Sequence, residues 1–292
     1  MNESYQGEKR TLNMDMDLVQ QGNRAWWNSR PMDYNWHNAA SEEPGSAAWF
    51  ARIDRELIEA SHLFATDQQP FDRILPLKSL AGKRVLEIGC GMGCHTETMA
   101  RAGAQVFAVD LTDTAVEMTK RRLELHGLTA NIQRGDAEAL PFEDNTFDFV
   151  WSWGVIHHSS RTGRIVRQIA RVLKPEGECR VMVYNREGAA ARMNLLLHHW
   201  LKGRFLQRSV EETLFATTDG FTARYYTQEQ FEDLFRTFFR EVSSEICGQT
   251  ADVVPLPRQL RKPVLKLLPE SYQRAAQSRR GAFLFLRAAK PE

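Results

Sequence analysis

Hydrophobic and polar positions change rhythm near residue 83. From Lys83 to Tyr184, short apolar runs alternate with stretches whose apolar residues recur every three or four positions. These two periods separate buried strands from amphipathic helices. The pattern predicts strands over 84–88, 105–109, 131–134, 147–152 and 178–184, and helices over 95–102, 112–126 and 162–173. Gly127 provides a stop for the second helix, and Pro175 with Gly177 a turn after the third. Strands alternating with helices at this spacing form a parallel sheet covered on both faces, so the expected fold is α/β and doubly wound.

The flanks follow other rules. Before residue 70, helical periodicity runs over 12–27 and again over 49–65, where Phe50, Ile53, Leu57, Ile58 and Leu63 recur. Between them Trp26, Trp27, Tyr34 and Trp36 crowd around Pro31, which breaks a helix. This stretch reads equally well as a hydrophobic plug on the core and as an aromatic lid. After Tyr184, residues 186–226 hold the block Met193–Leu201, too apolar for a solvent loop. Thr227 followed by Gln230 is a capping-box pattern that opens a helix to about residue 238. Residues 241–247 read as a sixth strand, 248–280 as irregular or helical cap, and 282–288 as a seventh strand whose course is left open. The expected division is an N-terminal helical and aromatic segment over 1–75 and a main domain over 76–292, with cap insertions at about 186–226 and 248–280.

Composition narrows the function classes. The 292 residues are 42% hydrophobic and 26% charged, as in an ordinary soluble enzyme. Basic and acidic side chains number 38 and 37, so the net charge is +1 and no global field of the kind used on nucleic acid is present. The basic clusters at 258–266 and 274–280 read as solvated surface. A polar first decapeptide predicts no secretory leader, and no uncharged apolar run is long enough to span a bilayer. Cys90, Cys94, Cys179 and Cys247 have the spacing of neither a disulfide framework nor a zinc ligand set. A cytoplasmic protein without a metal is expected, its oligomeric state undetermined.

Ligands of open α/β sheets bind at the carboxyl ends of the strands. There the first strand runs into Gly89, Gly91 and Gly93, which let the backbone turn tightly and approach a ligand ahead of a helix N-terminus. A dinucleotide loop needs its third glycine one place later. Glu87 also sets a carboxylate at the mouth of the loop, repelling a pyrophosphate but attracting a ligand with an ammonium or sulfonium. S-adenosylmethionine (SAM) carries both. The second strand ends at Asp110, suited to two ribose hydroxyls. The third runs into Asp136 and Ala137, suited to an exocyclic amine and a ring nitrogen of adenine. The fourth delivers Trp153, Gly154, His157 and His158 to the same edge.

The ordered set Val85–Gly93, Val109-Asp110, Gly135-Asp136-Ala137, Phe147–Val150, Gly154–His158 and Leu173–Gly177 resembles the class I SAM-dependent methyltransferases, closest to the branch acting on quinones, lipids and other small molecules. The resemblance covers 83–184 with specific motifs and the later helix and strands more loosely. It implies a seven-stranded, mostly parallel sheet with an antiparallel last strand. SAM would be the methyl donor and S-adenosylhomocysteine the product. The implied cofactor contacts are Glu87, Gly89, Gly91, Gly93, Asp110, Leu111, Asp136, Ala137 and Trp153. The aromatic N-terminal segment and the 186–226 stretch stand outside the shared core.

Methyl transfer from a sulfonium is an in-line displacement, so the protein's task is alignment and exclusion of water, effects worth roughly 7–11 kcal/mol at their best. A hydroxyl or ammonium acceptor also needs a base, and His157 and His158 stand where one belongs. A packing role for His157 is the competing reading. Tyr34, with Trp27 and Trp36, is suited to wall the sulfonium through ring faces, a contact of about 0.5–2 kcal/mol. The expected acceptor is an oxygen, nitrogen or carbon of a small organic or lipid-like molecule. Leu195–Leu201, flanked by Lys202, Arg204 and Arg208, either caps that pocket or touches a membrane surface, and its shortness favours the cap. A nucleic-acid or protein methyltransferase is the less favoured alternative. The near-zero net charge disfavours a nucleic-acid substrate, as does Ser152-Trp153-Gly154-Val155 standing where an Asn/Asp-Pro-Pro-Tyr/Phe-like tetrapeptide would be. A non-catalytic SAM-binding partner protein is the other alternative.

Overall fold

Five parallel strands carry the centre of the sheet. In the computed structural model, which describes residues 16–34, 42–65, 70–256 and 258–291, β1 (Arg84–Ile88) lies between β2 (Gln105–Asp110) and β4 (Phe147–Trp153). Outside these lie β3 (Asn131–Arg134) and β5 (Leu173–Asn185). β1 and β4 are buried along nearly their whole length, so apolar side chains dominate both of their faces, with Glu87 and Ser152 buried among them. Helices α3 (Cys94–Arg101), α4 (Asp113–Leu125) and α5 (Thr162–Val172) cover the sheet, Met99 of α3 packing with Val85 and Val116 and Leu123 of α4 with Ala108 and Ile132. Ile165, Val166, Ile169 and Val172 of α5 sit on one face and pack with Phe147, Val150 and Val181. Each such side chain contributes about 1.5–3 kcal/mol on burial.

The far half turns the sheet over. β8 (Phe283–Ala289) inserts between β5 and β7 (Glu241–Cys247), antiparallel to both, and the order is β3-β2-β1-β4-β5-β8-β7. A two-residue strand, β6 (Tyr225–Tyr226), was not anticipated. It pairs with Tyr184 and Asn185, beyond the end of β4, and so lies at the carboxyl edge. The turn expected at Pro175 and Gly177 lies inside β5. Pairing jumps from Phe147–Leu173 to Phe149–Glu178, so a bulge with Glu176 at φ 61° absorbs the extra residues. The predicted helix after Thr227 is α8 (Gln228–Arg236), and both reciprocal bonds of its capping box are made.

Helices cover what remains. α6 (Ala189–Asn194), a π-helical turn over 195–200 and α7 (Val210–Thr217) occupy the stretch between β5 and β6. The 248–280 region is helical, as α9 (Thr250–Val253), α10 (Arg258–Leu267) and α11 (Glu270–Arg280). In the N-terminal segment α1 (Met16–Ser29) lies over the carboxyl edge, and α2 (Ala47–Ala60) buries Trp49, Phe50, Ile53 and Leu57. Leu57, Phe64, Phe71, Ile74 and Leu75 share one core with Val85, Met99, Trp151 and Phe285 of the sheet and its helices.

Candidate active site

The ends of β1, β2 and β4, the residues just after β3, and α1 surround one cavity. Gly89, Gly91, Asp110, Leu111, Ala137, Trp153, Tyr34 and His158, all anticipated as site residues, line it. The glycines divide the work. Gly89, Gly91 and Gly93 have φ of 81°, 52° and 78°, a region costly for any residue with a Cβ. A Cβ on Gly89 would come within 2.2 Å of Val155 Cγ2, and one on Gly93 within 3.0 Å of Thr119 Cγ2. Those two glycines permit close packing of protein on protein. A Cβ on Gly91 would meet nothing within 4 Å, so at this position the loop faces open space that a ligand can fill.

The three carboxylates are placed differently. Asp110 lines the cavity and braces the loop: Oδ2 accepts from Gly91 N–H at 3.1 Å, and Oδ1 accepts from Thr112 N–H at 3.0 Å and Thr112 Oγ1 at 2.8 Å. Burial raises its pKa against these bonds. Asp136 lies behind the wall. Its Oδ1 accepts from Gln20 Nε2 at 2.9 Å and from Glu138 N–H at 2.8 Å, and it faces a second hollow shared with Arg24, Arg134 and Arg161. Glu87 is not at the mouth. It is 1% exposed, accepts from Thr96 Oγ1 and stands 3.8 Å from His95 Nδ1, and burial pushes its pKa up to about 8. His95 takes the lining position above it, its ring against Phe71, Trp151 and Trp153, and burial brings its pKa down to about 3. A neutral imidazole therefore stands between Glu87 and the cavity at neutral pH.

The two histidines after β4 separate. His157 is fully buried, its ring 4.0 Å from that of Tyr184, and neither nitrogen has a hydrogen-bond partner among the described residues. Burial drives its pKa well down, so the ring is a neutral packing group. His158 lines the cavity, edge-on to Trp27 at 5.1 Å. Its Nδ1 is 2.5 Å from the Thr222 carbonyl oxygen. A carbonyl only accepts, so Nδ1 carries a proton, and the neutral form of the ring is then the tautomer whose unprotonated nitrogen is Nε2.

The roof was the hardest part to foresee. Gln20, Asn23 and Trp27 fall three and four residues apart on one face of α1, and all three line the cavity with Pro31, Met32 and Tyr34. Asn23 is the buried residue of that helix. The spacing marks a face, but nothing in it says that the face covers this site. Trp36 lies outside the described residues. The apolar block over 193–201, expected to cap the pocket, contributes no cavity-lining residue. It buries His199 and leaves Trp200 and Leu201 57% and 71% exposed. Among the described residues no helix is long and apolar enough to cross a membrane, and no three His, Cys, Asp or Glu gather as a metal would require.

A doubly wound sheet with a glycine loop and an acidic second-strand end at one cavity is the arrangement of a nucleotide-type binding site. Residues 86–181 match the family described as methyltransferase domain. The chain is 32% identical over 173 residues to the ubiquinone biosynthesis O-methyltransferase of Xanthomonas oryzae pv. oryzae, covering 56% of this chain and 68% of that one. In fold it is similar to an S-adenosylmethionine-dependent methyltransferase from Mesorhizobium loti (TM-score 0.53, 18% identity, 78% of this chain and 100% of that one). It is also similar to Haemonchus contortus phosphoethanolamine N-methyltransferase 2 in complex with S-adenosylmethionine (TM-score 0.52, 19% identity, 82% of this chain and 57% of that one). The chain belongs to the class I SAM-dependent methyltransferases. Its reaction is methylation of a small-molecule acceptor.

Proposed function

We propose that this enzyme methylates a hydroxyl oxygen of an aromatic, lipid-like acceptor, with His158 as the base. The observation that carries the reading is the shared cavity, in which the open face of Gly91, the Asp110 carboxylate and His158 meet. O-methylation is the chemistry in the name of the curated relative, and a hydroxylated precursor of a quinone is the acceptor class that name supports.

When bound, SAM supplies a methyl group already activated by its sulfonium. The chain's own residues hold, align and exclude water. In this reading Gly89 and Gly91 give the backbone its close approach, Asp110 accepts from the ribose hydroxyls, and Leu111, Ala137 and the Asp136 turn flank the adenine. Glu87 sits behind His95 and tunes the loop, and Gly93 sets the loop against α4. Tyr34, Trp27 and Trp153 present rings to the sulfonium end, and α1 closes the roof. With the donor's sulfonium supplying the methyl group to the acceptor oxygen, His158 Nε2 would take the proton of the acceptor hydroxyl. Positioned general bases contribute about 10²–10⁴-fold. His157 fills the space beneath Tyr184.

A surface feature favours a lipid-like acceptor. Met193, Leu196, Leu197, Trp200, Leu201, Phe205 and Leu206 are all exposed, and Arg192, Lys202, Arg204 and Arg208 lie among them. That combination fits an anionic bilayer surface, where apolar side chains enter the headgroup boundary and cations meet lipid phosphates.

Incubating the enzyme with methyl-labelled SAM and a lipid extract tests the reading. Label is expected in a hydroxylated aromatic lipid as an ether, and the His158→Gln variant is expected to transfer at least 100-fold more slowly. Label found only in nucleic acid, protein or an N-methyl group would overturn it.

A further inference from the structure

Residues 218–224 join α7 to β6, and their anchors lead to one imidazole. The Tyr184 hydroxyl donates to Asp219 at 2.8 Å (Oδ1) and 3.0 Å (Oδ2), and Thr218 Oγ1 adds a bond to Oδ1 at 3.2 Å. One residue on, Gly220 has φ +81°, and a Cβ there would lie 2.8 Å from His158 Nδ1 and 2.9 Å from Trp27 Cζ2. Two further on, the Thr222 carbonyl accepts from His158 Nδ1. The segment ends with Arg224 N–H donating to the His157 carbonyl oxygen at 2.8 Å.

We propose that Tyr184 and Asp219 form a latch that positions His158, holding the Thr222 carbonyl on Nδ1 and so leaving Nε2 as the basic nitrogen. The proposal rests on the reading of His158 as the base. Tyr184 is a fixed post. It sits in β5 at the register where β6 pairs, its ring 4.0 Å from His157 and stacked at 6.0 Å on Phe283. Asp219 is exposed, and its grip on that post anchors residues 220 and 222. A neutral imidazole in water exchanges its proton between two nitrogens. The hydrogen bond made by one nitrogen decides which tautomer stands. If residue 219 swings away, Thr222 leaves Nδ1 and the proton is free to occupy Nε2, where it blocks proton uptake from an acceptor. The contact of Gly220 with the ring adds a steric stop, since no larger residue fits between the segment and His158.

The test reads the tautomer directly, by nitrogen-15 NMR of the full chain labelled at histidine, with and without S-adenosylhomocysteine, and with His158 assigned by the signal lost in His158→Gln. Wild type is expected to show the Nδ1–H form. Asp219→Asn keeps an acceptor oxygen for the Tyr184 hydroxyl and is expected to retain that form. Asp219→Ala and Tyr184→Phe are expected to lose it, and the aspartate pair leaves the Tyr184 ring packing untouched if the phenylalanine variant folds poorly. Retention of Nδ1–H in Asp219→Ala overturns the latch. So does its loss in Asp219→Asn, because the charge and not the hydrogen bond would then control the ring. A latch that holds while His158→Gln still transfers label at the wild-type rate would sink the base reading alone.

Discussion

The Asn23 side-chain amide donates to the His158 carbonyl oxygen at 2.6 Å, across 135 residues of chain. One bond thus joins the roof helix to the loop that carries the proposed base. Around it, Gln20 reaches Asp136, Arg161 pairs with Asp17 at 2.7 Å, and Asn28 bonds Thr114 at 2.9 Å. The roof is held mainly by polar bridges, which can open more readily than an interdigitated core.

Asn23→Leu removes the bridge and leaves a buried carbonyl without its donor, a loss of about 1–3 kcal/mol. The dissociation constant for SAM is expected to rise about tenfold by titration calorimetry, which is near 1.4 kcal/mol. An unchanged constant means that the roof does not contribute to holding the cofactor.

Gly89→Ala and Gly91→Ala separate packing from binding. Both place a Cβ at positive φ, a cost of about 1–2 kcal/mol. Only Gly89→Ala also drives that Cβ to 2.2 Å from Val155. The thermal midpoint is expected to fall further in Gly89→Ala, whereas Gly91→Ala keeps most of its stability and loses SAM affinity.

Asp110→Ala takes the acceptor from Gly91 N–H and from both groups of Thr112. The SAM dissociation constant is expected to rise at least 30-fold, about 2 kcal/mol. Asp110→Asn, which can still accept at one oxygen, should fall between. Equal affinity in all three proteins would remove Asp110 from the site.

Glu87 gives the unliganded protein a pH dependence. Its folded pKa, raised by burial to about 8, lies above the ordinary carboxylate value of 4.5. Between those values the folded state holds a proton that the unfolded state has released, so stability falls as pH rises. The contribution is fully present below pH 4.5 and lost by the time pH passes 8, with a span on the order of a few kcal/mol. Glu87→Gln is expected to flatten the slope of thermal midpoint against pH from 5 to 8.5. A variant that follows the wild-type slope would assign the dependence elsewhere.

Leu201 and Leu206 are 71% and 80% exposed beside Lys202 and Arg208. Sedimentation with phosphatidylglycerol vesicles is expected to carry down wild type at low salt and much less at 0.5 M salt. Leu201→Glu with Leu206→Glu should abolish binding without lowering the thermal midpoint, since both side chains already face water.

Periodicity alone was enough for the sheet up to β5 and for the glycine loop, because buried parallel strands are predominantly apolar and a turn at positive φ favours glycine. The capping box at Thr227 and Gln230 was legible for the same reason, being local chemistry. The bulge of β5 was not, since Pro175 and Gly177 suit a turn or a bulge equally, and pairing with β4 settles which.

Roles that depend on direction were beyond local reading. Glu87 and Asp110 look alike along the chain, yet one is buried against Thr96 and the other lines the cavity. His157 and His158 are adjacent and chemically identical, but successive residues point to different sides, so one packs under Tyr184 and the other meets Thr222. Apolar period and glycine placement dictate how the backbone runs. Which nitrogen of His158 holds a proton depends on a carbonyl 64 residues away, and which helix roofs it on a bond across 135 residues, and such pairings exist only once the chain has closed.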